Sequence, residues 1–195
     1  MAEFIPIANT RSASGIPTGK LALYWLLCSE IVIFGGVLAS YLMHRLAHPE
    51  WAFQAAHTNV VFGTVNTLVL LSSSLTAVLA HAAAGDNDGP KAARYLWMTI
   101  GGAVAFLCIK SVEWYGEINH GYTITSSPFW SFYYTAAGIH ASHVIAGAFT
   151  MLWVIQSAKK NQYLYRVENV GLYWHFVDLV WMFLFPLLYL TAVKP

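Results

Sequence analysis

Residues 173–190 read Tyr-Trp-His-Phe-Val-Asp-Leu-Val-Trp-Met-Phe-Leu-Phe-Pro-Leu-Leu-Tyr-Leu. This run is apolar enough to cross a bilayer, yet His175 and Asp178 stand near its start. A carboxylate in hydrocarbon costs at least a few kcal/mol, so such residues face protein and mark a site. The i, i+3 spacing puts both on one helix face. The simpler reading is a polar pair that locks helices together. The sharper one is a metal or proton site.

Composition extends the membrane reading to the whole chain. Of 195 residues, 57% are hydrophobic and 10% charged, against about 25% charged in soluble domains. The net charge of +1 argues against a nucleic-acid partner or an acidic substrate. Cys28 and Cys108 lie in apolar runs and read as buried thiols.

Five apolar stretches, each near the ~20 residues a bilayer needs, run at about Leu21–Met43, Val60–Ala83, Ala92–Ile118, Trp130–Ile155 and Val170–Val193. The expected fold is all-α, a polytopic bundle of five transmembrane helices, with residues 1–20 a cytoplasmic tail and 21–195 the membrane domain. Breaks between spans carry turn chemistry: 47–50 Ala-His-Pro-Glu, 85–90 Gly-Asp-Asn-Asp-Gly-Pro and 125–128 Thr-Ser-Ser-Pro. Pro90 suits the start of a helix, where a missing N–H is no loss. Pro186 deprives the Met182 carbonyl of its helical donor and predicts a bend.

Lysine and arginine set the orientation. Arg11, Lys20, Lys91, Arg94, Lys159, Lys160 and Arg166 fall on one side, against Arg45 and Lys194 on the other. This bias predicts a cytoplasmic N-terminus and an outside C-terminus.

Each span carries polar residues. In the first, Glu30 shares a face with Phe34, Val37 and Tyr41, and Gly36 with Ser40 offers a small-xxx-small approach. In the second, Asn66, Ser73 and Ala77 share a face and read as interhelical glue. In the third, Lys110, Glu113 and Glu117 form one stripe; Lys110 and Glu113 read as an ion pair, and Glu117 as solvated near the outer interface. In the fourth, His140 and His143 share a face. Histidines so spaced can bind metal, but a di-metal carboxylate bundle needs Glu-x-x-His on two helices, which this chain does not provide. The other histidines lie at helix ends or in loops.

Depth, at ~1.5 Å per residue, predicts which groups meet. From the cytoplasmic side Glu30 lies ~14 Å deep, Asp178 ~12 Å, His175 ~8 Å, His143 ~18 Å and His140 ~22 Å. Glu30, His143 and Asp178 are therefore expected to form one buried cluster, joined by His140 and His175, with Glu113 pairing instead at its own level.

Five motifs resemble one family in order. Tyr-Trp-His-Phe-Val-Asp-x-Val-Trp at 173–181 looks like the last helix of subunit III of the haem–copper cytochrome c oxidases. Ser29-Glu30-Ile31 with Phe34 and Gly36 is similar to that family's Ser-Glu-Val-x-Phe-Phe-x-Gly. The Asn-Thr-Leu-Val-Leu-Leu-Ser-Ser run at 66–73 is similar to its Asn-Thr-Leu-x-Leu-Leu-x-Ser. Glu113-Trp114-Tyr115 resembles its Glu-Tyr-Tyr, and Gly138–Val144 its Gly-Phe-His-Gly-Leu-His-Val. Two helices that begin the longer members are absent, as in the five-helix bacterial form. Ala141 and Ser142 replace Gly-Leu, and Lys110 stands where Gln is frequent.

The resemblance implies an accessory subunit in a bacterial cytoplasmic membrane. It would pack on subunit I, bind phospholipid and support proton uptake. Haem and copper would be held by partner subunits, with none in this chain, and subunit II and cytochrome c or an equivalent donor would be met through the complex. A quinol oxidase or nitric-oxide-reductase-associated complex is the alternative, although such relatives more often carry Asp at the Glu30 position. A stand-alone membrane metalloenzyme is the remote one.

Overall fold

The computed structural model describes residues 15–191. Helices α1 (Thr18–Ala47), α3 (Val60–Gly85), α4 (Gly89–Asn119) and α5 (Pro128–Ala158) are each long and apolar enough to cross a membrane, as is α6 (Tyr165–Phe185) with the turn that follows it. A short helix, α2 (Trp51–Ala55), lies between α1 and α3, where the sequence suggested only a turn. Its Trp51 and Ala55 are buried. The expected tail falls mostly outside the described residues, as do Arg11 and Lys194.

The turn motifs act as caps. Asn59 Oδ1 accepts from the Val61 and Phe62 amides at 3.1 and 3.3 Å. Asp88 accepts from the Lys91 amide at 3.0 Å, with Pro90 in the first turn. Ser127 accepts from the Trp130 amide at 3.4 Å, with Pro128 leading the helix. Each cap satisfies a donor that the helix start leaves free. The bend expected at Pro186 takes the form of a π-helical turn, Pro186–Leu190, that ends α6. The missing proline N–H removes one i→i−4 bond, and the wider turn rebuilds the pattern.

Helices α3, α4, α5 and α6 form the packed core, and α3–α4 is the most extensive pair. In a membrane, close packing depends on small residues at the contacts. A Cβ on Gly102 would lie 2.6 Å from Ser73 Cβ, and one on Gly147 3.1 Å from the Trp174 ring. The Gly36–Ser40 approach expected on α1 does not form: a Cβ on Gly36 would meet nothing within 4 Å. That face of α1 turns away from the bundle. Cys28 and Cys108 are likewise exposed on helix surfaces rather than buried, because an apolar helix in a membrane has no need to hide a thiol from lipid.

Helix α1 leans on α6 and α5 and keeps most of its surface free. Polar ties hold it at both ends. Lys20 pairs with Glu168 at 2.5 Å at one end. At the other, Tyr41 donates to the Leu187 carbonyl at 2.8 Å and Arg45 to the Thr191 carbonyl at 2.7 Å. The ties run in the same order along both helices, so α1 and α6 are parallel, as an odd number of spans requires.

Candidate functional site

The intramembrane polar residues separate into two centres and a smaller group around Ser74. The first centre lies between α1 and α5. Glu30 Oε2 sits 2.8 Å from His143 Nε2, and Glu30 is 9% exposed. The carboxyl approaches off the ring N–H line, so the contact is electrostatic rather than a well-aligned hydrogen bond. His143 Nδ1 faces the Ile139 carbonyl at 2.8 Å, and Phe34 packs edge-on against the imidazole. Such a pair can carry one proton between carboxylate and imidazole.

This pair forms part of the wall of a cleft of about 630 Å³ between α1 and the α5–α6 face. Leu23, Leu26, Ala146 and Val154 give it apolar sides, and Arg166 and Asn169 line it on α6. The Arg166 guanidinium stacks 4.5 Å from both the Trp153 and the Tyr163 rings. Stacking fixes the charge in place without neutralising it.

Asp178 does not join Glu30 and His143, contrary to the depth argument. Neither of its oxygens has a hydrogen-bond partner, and the hydroxyl beside it is that of Ser74 on α3. His175 turns the same way, its Nδ1 2.6 Å from Ser74 Oγ. Position along the helix does not decide which groups meet. His175 and Asp178 share a face of α6, and that face looks at α3, whereas Glu30 and His143 meet between α1 and α5. His140 also stays out of the pair. It is 0% exposed between the rings of Phe106 and Trp181, and neither ring nitrogen has a partner.

The second centre lies at the opposite end of the bundle and is larger than the expected ion pair. Lys110 Nζ is 3.0 Å from Glu113 Oε2 and donates to the hydroxyls of Tyr133, at 2.8 Å, and Tyr189. Tyr189 donates to Glu113 Oε1 at 2.8 Å. Glu117, expected in solvent, is buried and accepts from Tyr133 at 2.9 Å. It is buried because the loop after α4 folds back: Tyr122 stacks on Trp130 and its carbonyl accepts from Tyr134. The stripe Lys110–Glu113–Glu117 was legible from spacing, but its tyrosines were not. In a sequence Tyr133 and Tyr189 read as apolar bulk, and only the π-helical turn turns the Tyr189 hydroxyl onto Lys110.

Indole N–H groups bind α6 to α3. Trp174 donates to Ser73 Oγ and Trp181 to Thr67 Oγ1, each at 3.1 Å. Ser73 thus acts as the interhelical glue its face suggested. Asn66, on the same face, is 0% exposed with no side-chain partner. Among the described residues no group of three or more His, Cys, Asp or Glu side chains could hold a metal ion.

Comparison with known families gives this arrangement its context. Residues 12–193 match the family model described as cytochrome c oxidase subunit III. The chain belongs to that family. It is 34% identical to cytochrome c oxidase subunit 3 of Corynebacterium diphtheriae over 170 residues, which are 84% of this chain and 83% of the relative. Against that of Bacillus sp. (strain PS3) it is 34% identical over 202 residues, 98% of this chain and 95% of the relative. Against that of Thermostichus vulcanus it is 31% identical over 177 residues, 88% and 87%. The matched region contains all five spans and both polar centres. As a subunit III the chain is a multi-pass membrane protein and a component of an oxidase complex.

Proposed function

We propose that the chain is the accessory, non-redox subunit of a proton-pumping haem–copper oxidase that reduces oxygen to water. It sits in the bacterial cytoplasmic membrane with its N-terminus in the cytoplasm. It packs on catalytic subunit I and meets subunit II and the cytochrome c donor through the complex. Haem and copper belong to the partner subunits. Attaching a label to a cysteine placed at residue 11 from outside, and at residue 194 from inside, would overturn the orientation.

The observation that supports this reading is the α1–α5–α6 cleft with Glu30 and His143 in its wall. Its apolar sides suit acyl chains, and the ring-held Arg166 suits a phosphate headgroup. The Glu30–His143 pair can hold a proton beside that lipid and hand it on. The subunit would thus support its partner's proton supply without carrying electrons.

The test uses the intact complex. Arg166→Gln is expected to lower the phospholipid retained per complex, read by lipid mass spectrometry. Glu30→Ala and Asp178→Ala are expected to weaken assembly or shorten sustained turnover while the first turnover proceeds. Loss of the first turnover in an assembled Asp178→Ala complex would sink the accessory role. So would about one copper or iron per isolated chain.

A further inference from the structure

The Lys110 network has one acceptor more than its protons can serve. The ammonium carries three N–H bonds, and three acceptors face it: Glu113 Oε2, Tyr133 OH and Tyr189 OH. The Tyr189 proton goes to Glu113 Oε1. Tyr133 has one proton and two carboxylate oxygens in reach, Glu113 Oε1 at 3.0 Å and Glu117 Oε1 at 2.9 Å. Since Tyr189 already serves the first, Tyr133 serves the second. Tyr134 gives its proton to the Tyr122 carbonyl at 2.8 Å and stands 3.4 Å from Glu117 Oε2. Glu117 Oε2 is therefore left with only the long 3.4 Å contact to Tyr134, on a residue only 6% exposed.

The charge count agrees. One lysine faces two carboxyl groups, so with all three ionised the network's formal charge is −1. A cavity of about 390 Å³ lies beside it, lined by Glu113, Glu117, His57, Asn59, His120 and Tyr122 among others. His120 stands at i+3 from Glu117 and so on its face. His57 and His120 are exposed, and each points Nδ1 at a backbone carbonyl, Phe53 at 3.0 Å and Gly116 at 2.7 Å. Their Nε2 atoms have no protein partner among the described residues. Histidine is the side chain that exchanges protons with water near neutral pH.

We propose that Glu117 is a proton-binding site at this end of the bundle, loaded from the adjoining aqueous phase through the His57–His120 cavity. One proton adds to Glu117 Oε2, the carboxylate becomes a carboxylic acid, and the network's formal charge goes from −1 to zero. The groups facing it are Lys110 and Glu113 on α4, His120 at its C-terminal cap, Tyr133 and Tyr134 on α5, Tyr189 on the π-helical turn, and His57 and Tyr122 from the loops. The site is separate from the Glu30–His143 pair and opens at the other end of the bundle.

Infrared difference spectra of the intact oxidase complex, recorded between alkaline and acidic buffer, test it. A reversible carboxylic-acid C=O band is expected, lost in Glu117→Gln and kept in Glu30→Gln. The same band at full strength in an assembled Glu117→Gln complex would overturn the site. Should Glu117→Gln fail to assemble, the native complex is treated with a water-soluble carbodiimide and a small amine, and modified residues are mapped by mass spectrometry. Modification of Glu117 that rises as pH falls, and slows in His120→Gln, supports the proposal. No modification of Glu117 at any pH refutes it.

Discussion

Lys110→Ala is expected to destabilise the folded subunit by about 3–5 kcal/mol, the cost of removing one partner from a buried ion pair. Lys110 is 2% exposed, and among the described residues it is the lysine or arginine paired with the Glu113–Glu117 network. Without it two carboxyls remain among Tyr133 and Tyr189 with only hydroxyl donors. Replacing both partners with uncharged groups costs far less than removing one. Lys110→Met combined with Glu113→Gln should therefore recover part of the loss. Thermal unfolding in mild detergent, followed by helical signal, measures both. An unchanged midpoint in Lys110→Ala would show that the network contributes nothing to the fold.

Trp174→Ala is the second large effect, about 3–5 kcal/mol as for other buried Trp→Ala changes. The indole is 0% exposed, fills the space that Gly147 leaves on α5, and donates to Ser73 on α3. Its removal opens a cavity where three helices meet and takes from Ser73 Oγ the indole donor, leaving only its bond to the Leu70 carbonyl at 2.7 Å. Trp25, 71% exposed on α1, is the control. Its truncation removes no contact with the core and should leave the melting curve near that of the parent chain. If both variants melted alike, tight packing at the α3–α5–α6 junction would not be what holds the bundle.

The five spans were legible because a bilayer imposes length and apolarity on every crossing, whatever the neighbours do. The Lys110–Glu113 pair was legible for a local reason: residues three apart on a helix meet by construction. Glu30 and His143 could be matched because depth follows from counting residues along each helix. Asp178 shows where counting stops. Two groups at one depth meet only if their faces are turned toward each other, and the turn of each helix is set by its packing. On α6 that packing is decided by the Trp174 and Trp181 contacts with α3, which carry His175 and Asp178 to Ser74.

The sequence by itself therefore determined the class of fold, the number of apolar spans and the family. Only the tertiary structure decided which helix faces meet. It opened the cleft at Glu30–His143, and it buried Glu117 by folding the loop after α4 over it. It also brought Tyr189 to Lys110 through the π-helical turn at Pro186. The physical reason is that span length and depth are properties of one helix and its solvent. Azimuth, cavities and shared protons are properties of several helices at once, and no single segment encodes them.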